Sequence, residues 1–227
     1  MLPGIRPSPS ESELLLFRRA QKYLRMVSWI PGLRMIAVCN SLSMYASEPG
    51  SDIDIFVVTD PRRMWLTRIL ITGIFQILGV RRHGKHVAGR FCLSFFCTTE
   101  AMDFGNIAIE DDVYLKVWVN HLKPIVDIGG CYEKFLRVNT GWMEVFPDTT
   151  GGNTRFRSIE KPLRKDRLEW WWDGLDSLFR AVFEPVTLRE FERLGKPWGV
   201  IVTEDMLKFH PGDRRKEVRD GVRKDIV

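Results

Sequence analysis

The sequence predicts an α+β fold, a mixed β-sheet flanked by helices with a helical C-terminal extension. Three observations point there. Apolar residues recur at helical spacing over 10–27. Three short apolar runs, at 33–39, 52–58 and 91–98, are each bounded by turn-forming residues, as strands are. From about residue 103 the apolar residues return to helical spacing. These patterns divide the chain into a core at 10–102 and a helical region at 103–227.

The first helix opens at Ser10, a residue type whose hydroxyl caps free amide groups, with Glu11 and Glu13 in the first turn where acids complement the helix dipole. "LRMIAVC" then reads as a short buried strand. A turn at Asn40-Ser41, a helix-compatible piece "LSMYA" and a loop "SEPG" lead to "DIDIFVV", the second strand, which "TDPRR" ends. A largely buried helix is predicted over 64–79. The loop "RRHGKHVAGR" precedes "FCLSFFCT", an aromatic-rich third strand. Helical segments follow in "EDDVYLKVWVNHLKPIV" and "CYEKFLRVNTGWMEVF". A Gly- and Thr-rich connector at 148–154 leads to a helical region with three consecutive tryptophans. A short apolar run and a charged last helix close the chain.

Hydrophobic residues at 44% and charged residues at 28% place the chain among globular proteins and away from disordered ones. A net charge of +5 admits a polyanionic partner, such as a nucleotide or nucleic acid, without requiring one. Cys39, Cys92, Cys97 and Cys131 form no CxxC pair, and at least three of them lie in apolar, strand-like or helical stretches. They read as buried free thiols, which predicts a reducing, cytoplasmic setting. The N-terminus lacks the basic and apolar regions of a secretory leader. The longest apolar run, 69–80, is too short for a transmembrane segment, which takes about 20 residues.

The chemistry concentrates in "NSLSMYASEPGSDIDIFVV", residues 40–58. Strand side chains alternate faces, so Asp52 and Asp54 project together while Ile53, Ile55 and Val57 point the other way into the core. Two carboxylates about 7 Å apart along one strand face repel each other and call for a cation. A hard divalent ion such as Mg²⁺, shared with substrate phosphates, answers that need. Asn40-Ser41, where a strand passes into a helix, offers free amide groups and a hydroxyl to a phosphate. Asn tolerates left-handed backbone angles, so this turn can be as tight as a glycine turn.

A strand, a tight turn with Ser, about ten residues, then Gly-Ser-Asp-x-Asp and an apolar strand resembles the signature of the DNA polymerase beta-like nucleotidyltransferase superfamily. Asn40, Ser41, Gly50, Ser51, Asp52 and Asp54 carry the match, which covers roughly residues 30 to 100. The C-terminal half looks like the helical extension of a bacterial and archaeal subgroup. The resemblance implies a nucleotidyltransferase-type sheet. It also implies Mg²⁺ or Mn²⁺ on Asp52 and Asp54, with these acids catalytic, and a nucleoside triphosphate such as ATP gripped by Asn40, Ser41 and Ser51. The acceptor implied is a small molecule, a protein or RNA, and the sequence does not set an oligomeric state. Two residues depart from the pattern. Asn40 stands where the family most often has Gly. The third strand, expected to supply a third acid as base, has Ser94 near that position and no carboxylate. A catalytically silent nucleotide-binding module, regulatory or scaffolding, is therefore the alternative.

Other features carry their own alternatives. The acid pair also fits the metal-binding DxD of nucleotide-sugar glycosyltransferases, although that pair ends a strand and this one begins it. Arg81, Arg82, His83, Lys85, His86 and Arg90 form either a funnel for phosphates or a solvated hairpin-like loop; no third His or Cys completes a zinc set with the two histidines. Glu110, Asp111 and Asp112 fit a helix N-terminus, with the alternative that one of them reaches the metal in place of the missing strand acid. The tryptophan-rich helix is predicted to pack on the first domain, with a membrane-surface helix as the alternative. His210 reads as a packing or capping residue and Asp213 as opening the last helix.

Overall fold

The structure is a computed structural model that describes residues 4–143, 158–163 and 169–224. The connector at 148–154 and the start of the tryptophan-rich region, 164–168, lie outside the described residues. The fold is mixed α+β, with one seven-stranded sheet flanked by helices.

Helix α1 spans Glu11–Val27 and begins with a full capping box. The Ser10 side chain accepts from the Glu13 amide, and the Glu13 carboxylate accepts from the Ser10 amide. Glu13 is buried and also accepts from Ser47 N at 2.9 Å and Arg6 at 2.7 Å, tying the helix start to the loop ahead of the acid pair. Strand β1 (Leu33–Val38) pairs antiparallel with β2 (Ile53–Thr59), and helix α3 (Met64–Ile77) carries the chain over to β3 (Phe91–Thr98), parallel to β2. Between β1 and β2 lies the one-turn helix α2, Asn40–Ser43.

The second half is not a helical extension alone. Helices α4 (Val113–His121), α5 (Cys131–Asn139), α6 (Glu169–Arg193) and α7 (Arg215–Lys224) alternate with four strands. These are β4 (Lys123–Ile128), β5 (Ile159–Lys161), β6 (Val200–Val202) and β7 (Met206–Phe209). The sheet order β5-β4-β1-β2-β3-β7-β6 puts strands from both sides of residue 102 in one sheet. The sequence reading took "KPIV" as the tail of a helix. It is instead β4, antiparallel to β1, separated from α4 by Leu122 alone.

Both sheet faces are covered, which explains apolar runs without a polar alternation. Ile53, Ile55 and Val57 join Phe17, Leu24, Trp65 and Phe75 under α1 and α3. Phe56 and Val58 join Phe95, Phe104, Trp118 and Phe135 under α4 and α5. Helix α3 has no side-chain cap of its own. The buried Asp176 of α6 supplies one, accepting from Leu66 N at 2.7 Å, while Arg63 holds Asp173 of α6.

The tryptophan-rich helix packs on α3 of the first half, as expected, with Phe179 against the core, but not through its tryptophans. Trp170 and Trp171 are exposed, at 72% and 51%, and only Trp172 turns partly toward the body. Among the described residues no helix is long and apolar enough to cross a membrane.

Candidate functional site

The acids stand where β2 enters the sheet. Asp52 precedes the strand and Asp54 is its second residue, on the same face as Phe56 but beyond the apolar core. Antiparallel pairing of β1 with β2 brings the end of β1 to Asp54, and the Cys39 amide donates to the Asp54 carbonyl at 3.0 Å. The chain then turns sharply at Asn40, whose φ of +56° is the left-handed conformation predicted for this residue. The Asn40 side-chain amide hydrogen-bonds the Asp54 carboxylate, and its Oδ1 accepts from Trp118 Nε1 at 2.7 Å. The turn therefore faces the acids. The α2 helix that follows is a single turn, too short for an appreciable macrodipole.

The third strand contributes a residue that the sequence reading did not choose. In the parallel β2–β3 register Asp54 lies opposite Cys92, not Ser94. An irregularity then sets Phe56 opposite Phe95. One ligand atom each from Asp52, Asp54 and Cys92 lie within 4.8 Å of one another. Ser94 lies further into the strand, its hydroxyl 3.3 Å from His210 Nε2 and hydrogen-bonded to the Cys92 thiol. No residue of β3 at this position is a carboxylate.

Electrostatics follow from this crowding. Burial raises the Asp54 carboxyl above the ordinary carboxylate range, and the charge of Asp52 adds to it; Asn40, Cys92 and Arg82 oppose the rise. Burial and Asp54 push the Cys92 thiol up to about 12. Arg82 partly neutralises the pair, its Nη1 2.7 Å from Asp52 Oδ2 and 3.9 Å from Cys92 Sγ. This arginine is 47% exposed, so it closes the mouth of the cluster rather than filling a buried position.

The remaining predicted residues fall as follows. Gly50, with φ +94°, makes the turn before the acids, and Ser51 Oγ accepts there from Glu48 N at 3.0 Å. Ser41 and Asn40 line a pocket of about 560 Å³ together with Phe95, Tyr114, Trp118 and His210. The basic loop is hairpin-like, closed by a bridge between His83 and His86, and Arg82 is its member that reaches the acids. Asp112 caps α4, accepting from Leu115 N at 2.9 Å, and pairs with buried Arg215 at 3.0 Å. Asp213 accepts from Arg215 N at the start of α7 and pairs with Lys208 of β7 at 2.5 Å, just ahead of His210. Burial, then the charge of Lys208, lowers the His210 pKa to about 4. The four cysteines are free, as expected, and Cys39, Cys97 and Cys131 are buried.

Trp118, Tyr114 and His210 entered the site without a sequence signal, since each comes from an element distant along the chain. The donor set suits a divalent cation: two carboxylates and a thiol converge beside a pocket large enough for a small ligand. Fold and site together define an α+β protein with a cluster of two carboxylates and one thiol at the entry of its central strands. No family model, no curated protein and no solved structure matches the chain.

Proposed function

We propose that the chain is a metal-dependent nucleotidyltransferase of nucleotidyltransferase-type sheet architecture, moving a nucleoside monophosphate from a nucleoside triphosphate to an acceptor hydroxyl. The observation that carries the reading is the closeness of the Asn40–Ser41 turn to Asp54: the Cys39 amide just before the turn donates to the Asp54 carbonyl, and the Asn40 side chain hydrogen-bonds the Asp54 carboxylate. Asp52 and Asp54 would hold a divalent ion, which when bound would neutralise triphosphate charge and lower the cost of in-line displacement. Ser41 offers its hydroxyl, and the turn its amide groups, to phosphate oxygens. Arg82, once released from Asp52, presents a planar fork that suits a phosphate. Phe95, Tyr114 and Trp118 give the adjoining pocket aromatic walls for a base. The chain's own contribution is positioning and fixed charge. The acceptor is a small molecule, a protein side chain or an RNA end.

A second reading, a nucleotide-binding module without turnover, is favoured by one observation: β3 brings Cys92 and Ser94 to the site and no carboxylate. Labelled ATP, CTP, GTP and UTP with Mg²⁺ or Mn²⁺ and a mixed acceptor pool separate the two. Pyrophosphate release or label transfer supports the transferase. Metal-dependent binding without either supports the module. In both, Asp54→Asn abolishes metal-dependent nucleotide binding while unfolding stays cooperative. Wild-type binding by that variant refutes the site.

A further inference from the structure

We infer that Cys92 is a third protein ligand of the ion held by Asp52 and Asp54, and that the site selects a thiophilic first-row ion, zinc or a near neighbour, over magnesium. The inference rests on the reading of Asp52 and Asp54 as a metal site and adds the identity of its third donor and its ion.

Register is the first argument. Cys92 is the β3 residue directly opposite Asp54, and its sulfur lies with the two carboxylates in a cluster no wider than 4.8 Å. Ligand atoms sharing one zinc-like ion sit roughly 3.5 Å apart, given bonds of about 2.0–2.3 Å, so small side-chain rotations close the set. Charge is the second: Arg82 Nη1 lies 2.7 Å from Asp52 Oδ2 and 3.9 Å from Cys92 Sγ, so one half-exposed guanidinium faces two carboxylates, and an incoming divalent ion displaces it or binds beside it.

Donor chemistry then decides the ion. Magnesium takes oxygen donors and holds its waters, and a third carboxylate opposite Asp54 would have made an all-oxygen set. A thiol at that position shifts preference toward ions that bind sulfur. Ser94, two residues further along β3, is engaged by His210, its hydroxyl 3.3 Å from Nε2. Loading exchanges the thiol proton for the ion, the proton passing to buffer, with no change of oxidation state.

The test uses the metals alone on the full chain. Titrated with Co²⁺, the wild type develops thiolate-to-cobalt charge-transfer absorption in the near ultraviolet, and Cys92→Ser lacks it. Zn²⁺ binds Cys92→Ser at least about tenfold more weakly than wild type, while Mg²⁺ binding changes by less than about threefold. Cys92→Asp, which restores an all-oxygen set, gains Mg²⁺ and Mn²⁺ affinity and loses the absorption. A readout without substitution guards against a variant that fails to fold. The wild-type cobalt band is that readout, and excess Zn²⁺ removes it by displacing the cobalt. Cobalt bound without the sulfur band, a band that excess Zn²⁺ does not remove, or equal zinc affinity in Cys92→Ser overturns the inference. If Asp54→Asn still abolishes binding in that case, the two-carboxylate metal site stands. If the wild type binds no divalent ion, both fall.

Discussion

Replacing Arg82 by Gln separates two roles of one guanidinium, and the two respond with opposite signs. In the free protein Arg82 sits 2.7 Å from Asp52, with its side chain 47% exposed against 15% for Asp52. A divalent ion must displace it or bind beside it. Two unit charges 4 Å apart interact by about 1 kcal/mol in water and about 4 kcal/mol at an effective dielectric of 20. A half-exposed pair belongs near the aqueous end, and surface ion pairs contribute about 0–1 kcal/mol to stability. Removing the positive charge therefore tightens metal binding by about 1–2 kcal/mol, roughly 5- to 30-fold. Nucleotide moves the other way. Once the triphosphate is present, a freed guanidinium makes a charge-assisted hydrogen bond worth about 1.5–3 kcal/mol, which Gln loses. Calorimetric titration of Arg82→Gln with metal alone, then with metal and a non-hydrolysable nucleotide, measures both. The metal effect shrinks as salt is raised from 0.01 M to 1 M, because screening falls on an exposed pair. Metal affinity unchanged within twofold, or both affinities moving in one direction, refutes the reasoning.

Three further outcomes follow from particular contacts. Asp176→Ala removes the cap that α6 lends to α3 and strands the buried Leu66 amide; it costs about 1–3 kcal/mol, or roughly 2–4 °C of melting temperature per kcal/mol, read by thermal unfolding. Trp118→Phe loses the Nε1 bond to Asn40 and part of a buried ring, costing about 1–3 kcal/mol in urea unfolding. It also weakens nucleotide binding more than metal binding, because the turn slackens while the acids remain. His210 sets a pH dependence. Its folded pKa of about 4 lies below the ordinary 6.5, so the unfolded chain holds the extra proton between those values. The neutral imidazole's contribution, about 3 kcal/mol, is present above pH 6.5 and is lost as pH falls toward 4. Subtracting the pH–stability curve of His210→Gln from that of wild type isolates this slope; parallel curves refute it.

What the sequence disclosed and what it withheld divide along a physical line. Local signals were readable. Ser10 with Glu13 announced the capping box, the apolar run at 64–79 announced α3, and the period of two placed Asp52 and Asp54 together with Ile53, Ile55 and Val57 opposite. Asp112 as a cap was legible for the same reason. Strand β4 was not, because "KPIVDI" follows α4 with no turn residue between them and its apolar residues continue the helical spacing. The tryptophan run marked a helix that does pack on α3, but the face it buries carries Asp173, Asp176 and Phe179, so the polar contacts that orient it are ones no apolar periodicity reports.

The site itself shows the same division at the scale of one residue. Asn40 was legible because a left-handed turn demands a residue type, and the sequence displays residue types; the φ of +56° is the demand being met. Cys92 was not legible because its role depends on which β3 residue stands opposite Asp54. That choice is made by pairing between strands some 40 residues apart and by an irregularity that inserts one extra β3 residue before Phe95. A shift of register by one residue would turn Cys92 to the other face and bring Leu93 to the acids, leaving two carboxylates and no thiol. The third donor, and with it the choice between a hard and a soft ion, therefore follows from sheet register more than from any motif. Cys92→Asp tests donor chemistry directly, since it keeps the register and changes only the ligand atom.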